Sequence, residues 1–529
     1  MFIIKKIKNY LPFLCALVGG IYFISLTITG RSLSHYPGDL GDGRFNNYLL
    51  EHAHQFFTGE VTTFWNAPYM YPEKKVITYS DNLLGSAPFY SAFRLLGNDR
   101  ERSFQYWYLL MTLFSFASAY IFLMYLFKNN YSAALGAFVF AFSMALQSQV
   151  GHAQTIPRFA IPLTFLALLF YFKELRPNYF FLALFLVVYQ FYCGIYLGLL
   201  LFVPFSLFLV LSFYYKRGIY KLKIRNSRWR IKMISAAILN GVLLIPIMVP
   251  YLERAKETGF YPYQTIVESL PTLVSFFYAH NGSLVWQFLN SIPVNFPAFW
   301  DHQIFPGGIA MMGMMVFCII IIFKLRSAKY FQGAEAGTPI FILFFTGLIT
   351  FLFFLRVDHI SLYRLIYSFP GYGSMRALQR IISIELLFFA LAVAFVMKLI
   401  FKKQRAINAL IFLGLLALLI SDNYLREGTV HNREVADNKR RVEEVVRKIG
   451  QVGANAIISY EPDTVIDDCI HYQLDAMLAA QTLGLRTLNG YSATSPQGYS
   501  PYWIKPNKES REAWLRAKKI SGKDILVVH

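Results

Sequence analysis

Apolar runs of roughly 17–22 residues recur along the chain, separated by short polar connections, and a helix of that length spans a hydrocarbon core about 30 Å thick. The runs predict spanning helices at about 11–29, 104–127, 132–148, 158–172, 179–193, 195–215, 233–250, 306–323, 339–355, 381–400 and 406–422. Those at 158–172 and 179–193 are short, as tilted or re-entrant segments are. The pattern breaks twice. Residues 30–103 mix apolar and polar positions, which suits short helices lying along a membrane surface, and a connection of that length usually has a function. Beyond 422 the long runs stop. There the periodicity predicts a helix (Glu434–Ile449), a strand (Ala456–Tyr460), a helix (Ile470–Leu483), a loop rich in Gly, Ser, Pro and Tyr, a helix (Glu509–Lys518) and a strand (Ile525–Val528). The expected fold is an all-α polytopic membrane domain of about eleven helices over 1–422, with its first loop at 30–103. A small α/β domain over 423–529 follows. No short-period repeat is visible.

Composition agrees with this reading. The 529 residues are 56% hydrophobic and 15% charged, with mean hydropathy +0.42, where soluble domains are about 45–50% apolar and about 25% charged. The net charge of +20 raises the question of nucleic acid, but its placement answers it. Lysines and arginines collect in the connections: Lys128, Lys173/Arg176, the stretch from Lys216 to Lys232, Lys324/Arg326/Lys329 and Lys402/Lys403/Arg405. With eleven spans all of these fall on one side, the positive-inside pattern, and nucleic acid is not an expected partner. The N-terminus is then cytoplasmic, and the 30–103 loop and the tail are extracytoplasmic. The first run begins with Lys5, Lys6 and Lys8 as signal peptides do. It is long and shows no small-residue cleavage site before Arg31, so it reads as a retained helix. The four cysteines are scattered and form neither a metal spacing nor a disulfide framework.

Candidate chemistry begins in the first loop, at Pro37-Gly38-Asp39-Leu40-Gly41-Asp42-Gly43-Arg44. Asp39 and Asp42 sit beside a membrane segment, where carboxylates are expensive. One reading makes one of them a general base toward a hydroxyl. Another has the pair hold a divalent cation, and the plainest is a solvated Asp-Gly turn. Asp81, in Tyr-Ser-Asp-Asn, shares the functional readings, with helix N-capping as its plain one. Arg376 and Arg380, spaced i, i+4, predict a fork on one face of a helix, suited to a phosphate at head-group depth or to snorkelling toward lipid. Arg158 is a weaker candidate of the same kind. His152, in Gly-His-Ala-Gln, lines the same cavity or serves as a structural hydrogen-bond donor. The tail loop around Tyr491, dense in aromatics and small polar residues, suits sugar stacking or docking on a membrane interface.

Taken together, these features resemble the polytopic glycosyltransferases of GT-C type that use polyprenyl-phosphate sugars. The resemblance rests on a long first loop opening with Gly-Asp-Leu-Gly-Asp-Gly-Arg and continuing to Tyr-Ser-Asp-Asn-Leu-Leu. It rests also on Gly-His-Ala-Gln before a Pro-containing span, Phe-Tyr-Cys-Gly-Ile-Tyr between two spans, and Met-Arg-Ala-Leu-Gln-Arg before a late span. It covers about residues 1–422 in architecture. It implies a lipid-linked sugar donor held between membrane helices and a first-loop acid, Asp39 or Asp42, acting on the acceptor. It further implies Arg376 and Arg380 on the donor phosphate, transfer with inversion, and a glycan, lipid or other envelope acceptor. The expected location is a bacterial inner membrane. The absence of a Trp-Trp-Asp signature argues against protein N-glycosylation. Two other readings stand beside it. One is a transporter or flippase of lipid-linked saccharides, disfavoured because the charges sit at the outer edge and not at mid-membrane. The other is a non-catalytic membrane protein whose tail binds a partner or a glycan.

Overall fold

The structure, a computed structural model, describes residues 2–293, 296, 299–326, 338–401, 407–430, 432–463, 468–521 and 524–529. Lys329, Lys402, Lys403 and Arg405 of the expected basic connections lie outside the described residues. Every expected apolar run carries a helix. These are Phe2–Gly20, extended by a π-turn (Ile21–Ser25) and Leu26–Thr29, then Arg100–Phe127, Asn130–Phe142, Ala160–Glu174, Pro177–Cys193, Ile195–Tyr215, Ser227–Thr258, Gly308–Arg326, Thr338–Phe354, Ile382–Ile400 and Ile407–Asn423. Among the described residues, six helical segments are long and apolar enough to cross a membrane by length and composition. Pro177–Cys193, Gly308–Lys324, Thr338–Phe354 and Ile407–Asn423 are shorter apolar helices. The 132–148 run is divided. Its helix Asn130–Phe142 stops at Ser143, whose side chain accepts from the Ala145 N–H and starts a second, one-turn helix.

The chain divides into two compact units, which differ from the expected boundary at 422/423. One unit comprises Met1–Thr27, Leu109–Gln149 and Thr155–Val430, and the other Ile28–Tyr108, Val150–Gln154 and His431–His529. In the first unit the Ile382–Ile400 helix is buried along nearly its whole length. Three glycines on neighbouring helices let it pack closely. A Cβ at Gly136 would stand 2.6 Å from the Ala390 carbonyl, one at Gly313 2.7 Å from Val393 Cγ2, and one at Gly347 2.7 Å from the Phe388 ring. Small residues at contacts between apolar helices allow this backbone approach where lipid and side chain are equally apolar.

In the second unit the first loop and the tail fold together. Strand β1 (His35–Pro37) pairs antiparallel with β2 (Asn432–Glu434), with Tyr36 opposite Arg433. The tail sheet has the order β4-β3-β5, all parallel, with β3 at Ile457–Tyr460, β4 at Arg486–Thr487 and β5 at Ile525–Val528. Helices Val435–Ile449 and Cys469–Thr482 pack on each other. The first turns Val442, Val445 and Ile449 inward at helical spacing. The loop segment 68–71 lies along the β4 edge: Thr487 N–H donates to Pro68 O, and Tyr71 N–H donates to Thr487 O, at 2.9 and 3.0 Å. The Trp514 indole N–H donates to Tyr71 O at 2.9 Å. The first loop forms two helices: Asp42–Thr58 is buried through its first three turns, and the shorter Ala87–Leu95 leaves Leu95 exposed.

Candidate functional site

The Asp42–Thr58 helix begins where the Gly-Asp-Leu-Gly-Asp-Gly motif turns. Gly38 has φ +100, which a side chain rarely adopts, and a Cβ on Gly43 would stand 3.0 Å from both Gly38 Cα and Pro37 O. These two glycines are needed for the turn to close. Asp39 Oδ1 accepts the backbone N–H groups of Gly41 (3.0 Å) and Gly43 (3.3 Å), so one oxygen of this carboxylate caps the helix start. Its other oxygen faces Gly151, where an added Cβ would lie 3.8 Å away.

Asp42 is used differently. His152 Nδ1 lies 2.7 Å from Asp42 Oδ2, and the Tyr491 hydroxyl donates to Asp42 Oδ1 at 2.5 Å. Asp42 and His152 side chains are 26% and 27% exposed, so the pair is open to a ligand yet partly shielded from water. An imidazole that donates from Nδ1 to a carboxylate is held in the tautomer whose Nε2 accepts, and the carboxylate stabilises the imidazolium formed when Nε2 takes a proton. The Tyr491 ring packs edge-on against Phe45 at 5.4 Å, which aims its hydroxyl. Beside it, Gly490 N–H donates to Gln473 Oε1, and Gln473 Nε2 in turn donates to the Tyr502 and Trp503 carbonyls, all at 3.0 Å.

A buried ion network braces this end of the helix. Arg44, fully buried, donates to Asp475 Oδ1 at 2.5 Å, and Arg441 donates to Asp475 Oδ2 from Nε (3.0 Å) and Nη2 (2.7 Å). One carboxylate thus ties three helices. Burial pushes the Arg44 guanidinium below its ordinary pKa, and the Asp475 charge works against that shift. Burial likewise raises Tyr36, whose hydroxyl donates to Gly43 O at 3.2 Å, and lowers His52, whose Nε2 lies 2.8 Å from Phe64 O.

The other candidates are placed as follows. Asp81 is buried in the same unit, and the next helix, Ala87–Leu95, has Ser86 and not Asp81 at its N-cap position. Beside it, Tyr79 O accepts from Thr494 N–H of the tail loop. Tyr499 and Tyr502 of that loop are core residues. Their hydroxyls bond the Leu488 carbonyl and Ser459 Oγ, so they present no stacking face. In the other unit, Arg158 is buried against the Phe140 ring and donates to the Phe140 and Ala141 carbonyls at 2.9 and 3.2 Å. Arg376 and Arg380 do not share a helix face. Residues 375–377 are irregular, Leu378–Ile381 is a 3-10 turn, and the α-helix begins only at Ile382. Arg376 is exposed, while Arg380 stands over the Tyr196 ring at 5.0 Å. Tyr196 ends the Phe-Tyr-Cys-Gly-Ile-Tyr stretch named above but was given no role of its own, and Asp475 and Arg441 carry no motif, so nothing in the sequence singled those two out. Among the described residues, no group of three or more His, Cys, Asp or Glu side chains is placed to hold a metal ion.

No family model and no curated protein matches the chain. Among solved structures it is similar to the Archaeoglobus fulgidus oligosaccharyltransferase AglB in complex with an inhibitory peptide and a dolichol-phosphate, at 10% identity over 98% of this chain and 69% of that one, TM-score 0.46. It is similar to the apo form of the A. fulgidus oligosaccharyltransferase at 10% identity over 97% and 69%, TM-score 0.49. It is also similar to the mycobacterial arabinofuranosyltransferase AftD at 16% identity over 84% and 30%, TM-score 0.39. At such scores the likeness carries no argument, and the function is read from the chain's own residues.

Proposed function

We propose that this chain is a membrane glycosyltransferase that moves a sugar from a polyprenyl-phosphate donor to an envelope glycan, lipid or other acceptor on the extracytoplasmic face. The observation that carries the reading is the Asp42 carboxylate, bonded on one oxygen to His152 and on the other to Tyr491. Three residues far apart in the chain converge on one part-shielded acid, in a protein otherwise made largely of apolar helices. In this reading eleven helices span the membrane of a bacterial cell. The basic connections face the cytoplasm, and the unit holding residues 28–108 and 431–529 lies outside.

The Asp42–His152 pair takes the proton from the acceptor hydroxyl as its oxygen bonds to the sugar carbon. The bond from that carbon to the donor phosphate breaks, and the carbon inverts. Tyr491 holds the carboxylate still. Asp39 builds the turn that presents Asp42. Arg376 and Arg380 bind the departing phosphate, whose charge grows as the bond breaks, and donors fixed there stabilise the transition state more than the ground state.

The test is transfer from radiolabelled polyprenyl-phosphate sugars by purified protein in detergent. Wild type should transfer, and Asp42→Asn should bind donor yet lose about 10²–10⁴-fold in rate. Transfer by Asp42→Asn at the wild-type rate, or donor binding without transfer by wild type, would remove the proposal.

A further inference from the structure

The segment that carries Arg376 and Arg380 is not α-helical: only two long i→i−3 bonds, Met375 N–H to Tyr372 O and Arg380 N–H to Ala377 O, both 3.4 Å, flank residues 375–377, so a further contact must set where its two guanidinium groups stand. The structure supplies one group that touches the segment twice. The Tyr196 hydroxyl oxygen, at the start of the Ile195–Tyr215 helix, accepts the N–H groups of Arg376 (2.8 Å) and Ala377 (3.4 Å). The ring of the same residue lies beneath the Arg380 guanidinium at 5.0 Å. Arg380 Nε is buried with no hydrogen-bond partner among the described residues, a donor that a ligand would satisfy. The surrounding segment rests on the same helix: the Tyr372 hydroxyl donates to Leu199 O at 2.9 Å, the Tyr363 hydroxyl to Tyr372 O at 2.8 Å, and Gly371 at φ +88 leaves no room for a Cβ against Leu199.

We infer that Tyr196 is a positioning residue for phosphate binding. Its hydroxyl fixes the backbone under Arg376 and its ring fixes the plane of Arg380, so the pair meets the phosphate of a lipid-linked donor at a set separation. The inference rests on the donor-site reading of the two arginines. Tyr196 itself does not touch the phosphate; it determines how well the arginines do. A guanidinium stacked on an aromatic ring keeps its N–H fork free for bidentate contact, which makes such a pair well suited to phosphate.

The experiment measures binding of undecaprenyl monophosphate to the purified full chain in detergent, with phosphatidylglycerol and inorganic phosphate as competitors. Arg376→Gln and Arg380→Gln should each weaken binding about 10-fold or more. Tyr196→Phe keeps the ring and removes the hydroxyl; it should weaken binding roughly 3–10-fold with the melting temperature unchanged. Tyr196→Leu should weaken it further. Tyr196→Phe combined with Arg376→Gln should bind no worse than Arg376→Gln alone, because the hydroxyl acts through that residue. Should Tyr196→Phe not fold, Tyr196→His serves, since it keeps an aromatic ring. If the arginine variants lose binding and Tyr196→Phe does not, or if its loss adds fully to that of Arg376→Gln, Tyr196 is not a positioning residue and the donor site stands. If the arginine variants bind as wild type, or if phosphatidylglycerol competes as well as the polyprenyl phosphate, the donor-site reading falls and this inference with it.

Discussion

Replacing Asp475 by Asn tests the ion network that braces the Asp42–Thr58 helix. The substitution keeps the shape and removes one charge, so the loss is electrostatic and leaves no cavity. Arg44 is 0% exposed at its side chain and Asp475 6%, whereas Arg441 is 26% exposed. Removing one partner of a buried pair costs about 3–5 kcal/mol, because the remaining charge stays in a medium that solvates it poorly. The Arg441 arm reaches water and adds less than about 1 kcal/mol. Against a total stability of about 5–15 kcal/mol this is a large fraction. Equilibrium unfolding in mild detergent, followed by tryptophan fluorescence, reads out the loss, since Trp65, Trp107, Trp503 and Trp514 of the seven tryptophans lie in this unit. Thermal half-lives rank the variants should unfolding be irreversible. The double variant Arg44→Met/Asp475→Leu, with no buried charge on either side, should recover most of the loss. A loss under about 1 kcal/mol for Asp475→Asn, or a double variant no more stable than the single one, would refute the reasoning.

The remaining predictions concern the turn, the acid and one buried imidazole. Asp39→Asn keeps an oxygen for the Gly41 and Gly43 amides and should lower transfer far less than Asp42→Asn; Asp39→Ala should cost about 1 kcal/mol of stability as a lost cap. Equal loss of transfer in Asp39→Asn and Asp42→Asn would return Asp39 to the chemistry. Tyr491→Phe should slow transfer roughly 10-fold, the worth of a hydrogen bond to a charged group, as steady-state rates would show. Gly43→Ala must push against Gly38 and Pro37 backbone and should destabilise by about 1–3 kcal/mol, while Gly241→Ala, with open space around it, is the neutral control in the same melting assay. Burial, reinforced by the Arg356 charge, lowers the His302 imidazole from 6.5 to about 4. The folded state therefore favours the neutral ring. Its contribution is full above pH 6.5 and lost as pH falls from there through 4, roughly 3 kcal/mol in all. Melting temperatures of wild type should fall over that range more steeply than those of His302→Gln, and parallel curves would contradict the assignment.

How far this could be read beforehand depended on whether the information was local. Apolar runs forecast helices because length and hydrophobicity act residue by residue; even Ile525–Val528 emerged as drawn. Pairings of three residues or fewer, such as His35–Pro37 with Asn432–Glu434 and the strand Arg486–Thr487, have too little sequence for a period to show. Asp39 and Asp42 stood out as carboxylates beside a membrane segment, yet their division of labour did not. It depends on which one faces the Gly41 and Gly43 amides and which one meets His152, 110 residues on, and Tyr491, 449 residues on. The arginine spacing looked helical because i, i+4 is the helical interval, but the residues between Met375 and Ile381 take a tighter, irregular path fastened to Tyr196. Aromatic density in the tail loop could not separate a stacking face from a core, and Tyr499 and Tyr502 proved to be core.

The bonding of segment 68–71 to the β4 edge bears on how the protein is made. Roughly 400 residues separate the two partners, and at about 5–20 residues per second the ribosome needs some 20–80 seconds to produce the second after the first. Throughout that interval Pro68, Met70 and Tyr71 have no strand to bond, and the Asp42–Thr58 helix carries Arg44 without its counter-charge. The unit matures only after the tail strands have been made, so its first half must wait beside the membrane in an unfinished state. Early release or slow elongation would then harm this unit long before the helices inserted in the meantime.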